Sequence, residues 1–282
     1  MTHAAKLALM AGLGLAVIGP AAAAPAKNVS FAPHRAIYDL KLRSAHGNRG
    51  IEAVRGRILY DFSGSACTGY ELKFRQVSEL ESEGRSVLSE LTSTTWEDAD
   101  ARSFRFDSQN RMNQQPTDTA VGQAQRRSKA VAVELTKPKH KSLRLPAGVV
   151  FPTEHMRRIV EAARAGRRML ELPVYDGSDN GEKLYNTFTL IGKPIGPDQA
   201  PPHDAAAKVP EMAKLTRWPV TISYFAQRSA RQIRTGEQTP SYVIGFELYE
   251  NGVSRALVLD YDDFSISGEL AALDMKKEVP CR

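Results

Sequence analysis

Apolar and polar residues alternate with a period of two along most of this chain, and that restricts it to folds built from half-buried strands. Ala36, Tyr38, Leu40 and Leu42 alternate with Arg35, Ile37, Asp39, Lys41 and Arg43. Val54, Gly56, Ile58, Tyr60 and Phe62 repeat the pattern against Arg55, Arg57 and Asp61, and Tyr70, Leu72 and Phe74 continue it beside Glu71, Lys73 and Arg75. One wet face and one apolar face make these antiparallel neighbours. Further strands are expected around 87–96, 103–107, 129–135, 169–175, 184–191 and 219–226. Near the end Tyr242, Ile244, Phe246 and Leu248 alternate up to Asn251-Gly252, after which Val253, Arg255, Leu257, Leu259 and Tyr261 resume. Asn-Gly predicts a type I′ hairpin turn, and a last strand is expected over 264–270.

One helix interrupts the pattern. Pro152 and Thr153 open it, Met156, Ile159, Val160 and Ala163 form its apolar stripe, and Gly166 closes it. Its outer face carries Arg157, Arg158, Arg164, Arg167 and Arg168. The stretch from Lys193 to Pro219 holds six prolines and little periodicity, which predicts an exposed crossing segment. Strands of the same kind lie on both sides of it, so the reading is one continuous β-architecture.

The first residues read as a secretory leader. Lys6 precedes a twelve-residue apolar run, Leu7 to Ile18, and small residues from Ala21 to Ala26 supply a cleavage zone. As a helix the run rises about 18 Å, against roughly 30 Å of hydrocarbon, too short to anchor the chain. The expected organisation is a cleaved signal peptide, residues 1–26, and one mature domain, 27–282, working in the periplasm without a transmembrane segment. Net charge falls from +6 to +5 when Lys6 leaves with the leader. In the cytosol that balance would suggest nucleic acid, but an exported chain meets lipid and cell wall, so no nucleic-acid partner is expected. The two cysteines, Cys67 and Cys281, lie 214 positions apart in the exported part, where disulfides persist. They are expected to bond to each other, closing a loop that contributes about 5 kcal/mol in the chain-entropy model. Two free or intermolecular thiols are the competing reading.

Motifs for chemistry are sparse. Asp176, Ser178, Asn180 and Gly181 match the front half of a calcium loop, but its twelfth position is Thr187, so a polar turn between strands is preferred and neither metal nor cofactor is expected. G-x-S-x-G, S-x-x-K and H-E-x-x-H are all absent. Glu154 and His155 sit together on the helix, yet adjacent helical residues point about 100° apart and form no dyad by themselves. A triad from distant residues, such as a serine, His34 and Asp262, stays open. The basic run Arg126, Arg127, Lys129, Lys137, Lys139, His140, Lys141 and Arg144 reads as a solvated strand face and edge, and alternatively as a dock for anionic lipid or an acidic partner.

Several segments together resemble the EipB cell-envelope integrity proteins of Gram-negative alphaproteobacteria, formerly a domain of unknown function. They are HRAIYDLKL from His34, TTWED around Trp96, LPAGVVFPTEHM leading into the helix, VYDGSDNG, WPVTISYF, and FELYENGVSRALVLDYDDFSISGEL. The likeness runs from about His34 to Cys281. It implies a periplasmic protein whose strands wind into an open β-spiral, similar to periplasmic lipoprotein carriers, with a disulfide between the positions of Cys67 and Cys281. It also implies a role in envelope integrity and a link to a periplasmic tetratricopeptide-repeat protein, and it brings no catalytic residues. Where a glycine is expected after Trp96, Glu97 and Asp98, the chain has Ala99, Asp100 and Ala101, so that turn is expected to differ.

The expected fold is therefore mainly β: many antiparallel strands in an open β-spiral or curved barrel-like sheet with one helix packed against it. The expected function is non-catalytic, binding a partner protein or a lipid or lipoprotein acyl chain. A pure interaction scaffold and an envelope hydrolase with a cryptic site are the alternatives. If the concave face holds a ligand groove, Phe104, Phe106, Met156, Tyr224 and Phe246 are the candidates to line it.

Overall fold

The computed structural model describes residues 29–46, 50–197, 199, 201–227 and 239–278. The expected signal peptide and Cys281 lie outside these residues.

Eight strands form a first meander: β1 (His34–Ala45), β2 (Ile51–Ser65), β3 (Gly69–Ser82), β4 (Arg85–Glu97), β5 (Ser103–Met112), β6 (Gln115–Arg127), β7 (Ala130–Lys137) and β8 (Lys141–Pro146). Helix α1 (Pro152–Arg164) follows. A second meander comprises β9 (Met169–Val174), β10 (Tyr185–Ile191), β11 (Arg217–Ala226), β12 (Tyr242–Tyr249), β13 (Ser254–Asp260) and β14 (Phe264–Met275). Every neighbouring pair is antiparallel, and β14 returns to β1, giving one sheet in the order β8 to β1 and then β14 to β9. The result is a curved, open sheet with edges at β8 and β9. The chain crosses from one edge to the other through α1, and a single parallel bridge, Val150 with Val174, joins the segment after β8 to β9.

The alternation read from the sequence sets which face is inside. On β1 Ala36, Tyr38 and Leu40 are buried, opposite Tyr60, Ile58 and Gly56 of β2 and opposite Leu273, Leu270 and Gly268 of β14. Residues of both meanders, Phe62 and Tyr70 from one and Ile191, Trp218, Ile222 and Leu248 from the other, pack with Ile159, Val160 and Ala163 of α1. The helix therefore lies on the concave side. A helix of 13 residues is marginal alone in water, so this burial, worth roughly 1.5–3 kcal/mol for each large side chain, is what holds it. The outer face carries charge pairs across strands, such as Arg57 with Asp39 and Arg75 with Glu90, both at 2.8 Å, exposed pairs that contribute little to stability.

Two strands escaped the sequence reading, β6 and β8. The inward positions of β6 are Ala120, Gly122 and Ala124, too small to show as an apolar stripe, yet both alanines are fully buried. In β8 the basic run hides an alternation that places Leu143 and Leu145 against the core. This stretch is the sheet edge that its lysines suggested, but Arg126 is not part of a solvated face, because its guanidinium turns inward to α1.

The β12–β13 turn is also corrected. Gly252 N–H bonds Tyr249 O at 2.9 Å and only Gly252 has positive φ, +89°, so Glu250, Asn251 and Gly252 form a three-residue loop, not a type I′ turn. In the turn after Trp96, Ala101 takes the left-handed φ of +53°, a conformation that favours glycine, and Asp98 accepts bonds from the N–H groups of Arg102 and Ser103. The proline-rich crossing segment is not wholly exposed. Its 3-10 turns Ala205–Lys208 and Met212–Lys214 bury Ala205, Ala206 and Met212 in the cluster that contains Leu270 and Leu273.

Candidate functional site

The inside of the sheet has two parts, a docked helix and an unfilled apolar space. Docking is polar at its start. Phe151 precedes α1 and offers no side-chain cap, so a carboxylate from the wall supplies one: Glu97 of β4 accepts from Thr153 N–H at 2.7 Å and from Glu154 N–H at 2.8 Å. Burial pushes the Glu97 carboxyl up to about 7, with the Glu154 charge adding to the shift and the two N–H donors opposing it. Glu154, itself buried, pairs with Arg126 at 2.7 Å and with Arg158 at 3.2 Å. Arg126 also donates to Val149 O at 2.8 Å and to Ala101 O at 3.0 Å. Two of the segments that carry the family resemblance, TTWED and FPTEHM, thus meet at one latch. The sequence placed Glu154 and His155 in the first turn but did not show that strands β4 and β6 cover them.

Beyond that first turn lies a cavity of about 640 Å³. Its walls are Tyr60, Phe62, Leu72 and Phe74 on one side and Ile222, Ile244, Phe246, Leu257 and Leu259 on the other. Pro152, Thr153 and Met156 of α1 line it as well. Serine, threonine and amide side chains from β3, β4 and β5, among them Gln76, Ser93, Thr95 and Asn110, make one wall more polar. At another end stand Asp176, Ser178 and Asp179 of the β9–β10 loop with Tyr185, Tyr224 and Tyr242. Tyr224 and Tyr242 stack at 4.4 Å, and Tyr185 sits 5.8 Å from each, nearly perpendicular. The Tyr185 hydroxyl donates to Asp179 Oδ2 at 2.8 Å. Its volume falls in the range of ligand pockets.

Of the five residues expected to line a groove, Met156, Tyr224 and Phe246 face this cavity. Phe104 and Phe106 do not. They stack at 5.5 Å, Phe104 stacks on Phe151 at 5.3 Å, and both meet Tyr175 edge-on in a separate, filled cluster. Phe151, immediately before α1, occupies the space that a ligand would otherwise have found beside them. The residues that sequence reasoning missed are Asp176, Asp179, Tyr185 and Tyr242. The polar turn VYDGSDNG was visible as a turn, with nothing in it to show that it faces inward. Thr187, the twelfth position of the calcium-loop reading, lies in β10, and its hydroxyl donates to Leu172 O at 2.9 Å.

The two buried histidines have no catalytic partner among the described residues. His34 bonds Ala32 O through Nδ1 at 2.8 Å and stacks on Tyr60, and its Nε2 is without a hydrogen bond. His155 Nε2 approaches Thr187 Oγ1 at 3.4 Å, and burial pushes its pKa down to about 4. Among the described residues neither ring is hydrogen-bonded to a serine or a carboxylate. No helix of the described residues is long and apolar enough to cross a membrane.

Comparison with known proteins agrees with this architecture. The chain is 36% identical over 255 residues to the cell envelope integrity protein EipB of Brucella abortus, covering 90% of this chain and 88% of that one. It superposes with a TM-score of 0.79 and 34% identity on the crystal structure of a β-barrel-like protein of a domain of unknown function from Brucella abortus, covering 88% of this chain and all of the other. The EipB-like family pattern spans residues 25–277. A continuous match of that length, on a sheet of the same shape, means that the chain belongs to the EipB-like family.

Proposed function

We propose that this protein maintains the cell envelope as a non-catalytic periplasmic binding protein, taking a lipid or lipoprotein acyl chain into the concave side of its sheet. The cavity of about 640 Å³ beside α1 carries this reading: it is walled by aromatic and aliphatic side chains, and its volume falls in the range of ligand pockets. The name of the Brucella relative supports the envelope role. The leader, residues 1–26, would deliver the domain 27–282 to the periplasm.

Native mass spectrometry of protein purified gently from an envelope fraction tests the proposal. An acyl-bearing mass at one per chain is expected, and it is expected to disappear in Ile244→Trp, which fills the cavity, while the variant melts as the wild type does. A bare wild-type chain, or a ligand retained by Ile244→Trp, would overturn it.

A second reading, docking of a protein such as a periplasmic tetratricopeptide-repeat partner, is favoured by Lys137, Lys139, His140 and Arg144, all exposed or half-exposed at the β7–β8 edge. Capture of that partner should weaken with salt if this edge is the contact.

A further inference from the structure

Charge inside the cavity runs against charge outside it. The chain carries 38 Lys and Arg against 32 Asp and Glu, yet among the described residues lining the cavity there is no lysine, arginine or histidine, and there are three aspartates, Asp176, Asp179 and Asp260. Asp179 has partners of its own, Lys183 at 2.8 Å and the Tyr185 hydroxyl. Asp176 accepts from Ser178 N–H at 2.9 Å, the Ser178 hydroxyl also favours its charge, and no basic side chain of the described residues pairs with it. Burial holds its carboxyl above the usual carboxylate range, and the Asp179 charge adds to this, the condition of an acid without a positive partner. The Asp176 charge also acts on Tyr185, Tyr224 and Tyr242, which line the same end of the cavity. On the same wall the Ser178 hydroxyl is shielded from solvent and lies between Asp176 and Tyr185, favouring the charge of both. No three His, Cys, Asp or Glu side chains of the described residues approach closely enough to hold a metal ion.

From this we infer that the Asp176–Tyr185–Tyr224–Tyr242 end of the cavity is a head-group subsite for a cationic amphiphile, an ammonium or alkylammonium group on an aliphatic chain. The inference rests on the cavity being the binding site and adds the sign of the ligand. A carboxylate supplies the countercharge, phenol rings attract an ammonium group through their faces, and the aliphatic walls take the chain. A phosphate- or carboxylate-headed chain inserted head first would bring a second negative charge to Asp176 with no basic side chain of the described lining residues to offset it.

Three probes of equal chain length decide it: decyltrimethylammonium, decyl sulfate and 1-decanol, each below its aggregation concentration, with binding counted only where decanol displaces it. The basic exterior favours the sulfate, so a preference for the ammonium can come only from inside. The expected result is about tenfold tighter binding of the ammonium than of decanol, a sulfate weaker than decanol, and Asp176→Asn bringing the ammonium down to the decanol value with decanol unchanged. Sulfate competing as well as ammonium would overturn the inference and leave cavity binding intact, whereas failure of all three probes would remove the cavity reading itself. If Asp176→Asn does not fold, the order of the three probes on the wild type decides alone.

Discussion

A helix start usually finds its cap in the residue just before it, but α1 takes its cap from Glu97 of β4, which lies 56 and 57 positions before the Thr153 and Glu154 N–H groups it accepts from. The proton on that carboxylate matters for stability. Its pKa is pushed up to about 7 from 4.5, so the folded form holds the proton more tightly, and this contribution is complete below about 4.5 and fades as pH rises through 7. The buried imidazole of His155 acts in the opposite sense: pushed down to about 4 from 6.5, it favours the fold above 6.5 and loses that contribution as pH falls toward 4. Glu97→Gln removes the first and leaves the second. The variant is therefore expected to melt lower than the wild type and to show a steeper rise of Tm between pH 4.5 and 6.5 in fluorimetric melts, and a flatter profile would refute the assignment. Residue by residue, the sequence could not separate Phe104 and Phe106 from Tyr224 and Phe246, because all four alternate with polar neighbours. What separates them is whether a side chain from elsewhere, Phe151, fills the space in front, and period-two spacing carries no information about that.

At the scale of elements the strands were legible wherever inward residues are large, and β6 was not, since alanine and glycine face inward there so that Phe106 and Leu135 can fit: a Cβ at Gly122 would lie 2.8 Å from the Phe106 ring. The β12–β13 hairpin was recognised and its turn mistaken, because Asn-Gly serves both a two-residue loop and the end of a three-residue one. The glycine is needed in either case. At φ +89° Gly252 has a conformation that side chains rarely adopt, and a Cβ there would lie 2.6 Å from the Phe31 ring. Gly252→Ala is expected to destabilise the protein by about 1–3 kcal/mol in urea unfolding with an unchanged m-value. A loss below about 0.5 kcal/mol would mean that Phe31 moves aside freely.

The whole molecule depends on how its two meanders are joined. β14 ends at Met275 opposite His34, which in turn faces Phe62 of β2, and Lys276 reaches back across β1 to pair with Asp61. Cys67 lies in the exposed β2–β3 turn, five residues beyond Phe62, and Cys281, six positions after Met275 in sequence, lies outside the described residues. The disulfide expected between them would fasten the joint between first and last strands. Cys67→Ser is expected to lower Tm by several degrees, matching reduced wild type, while oxidised wild type is two hydrogens lighter than reduced in mass. Identical melting of oxidised and reduced wild type would refute the bond's role. The curved sheet and its helix could be read from the sequence, through alternation and resemblance together. The cavity could not, because it is a difference between the volume the strands enclose and the volume that α1 and Phe151 fill.

Strand order also dictates when this fold can be completed. Within each meander every strand pairs with the one just before it, so the arcs β1–β8 and β9–β14 form from local contacts of short sequence separation. The β1–β14 ladder alone joins residues more than 200 positions apart, as in His34 with Met275. Low contact order makes each arc fast to assemble, and the long loop closure between first and last strands makes their union slow. The β1–β14 ladder is therefore expected to be the last pairing to form, and until it does the two arcs lack the partner that each packs against in the finished sheet.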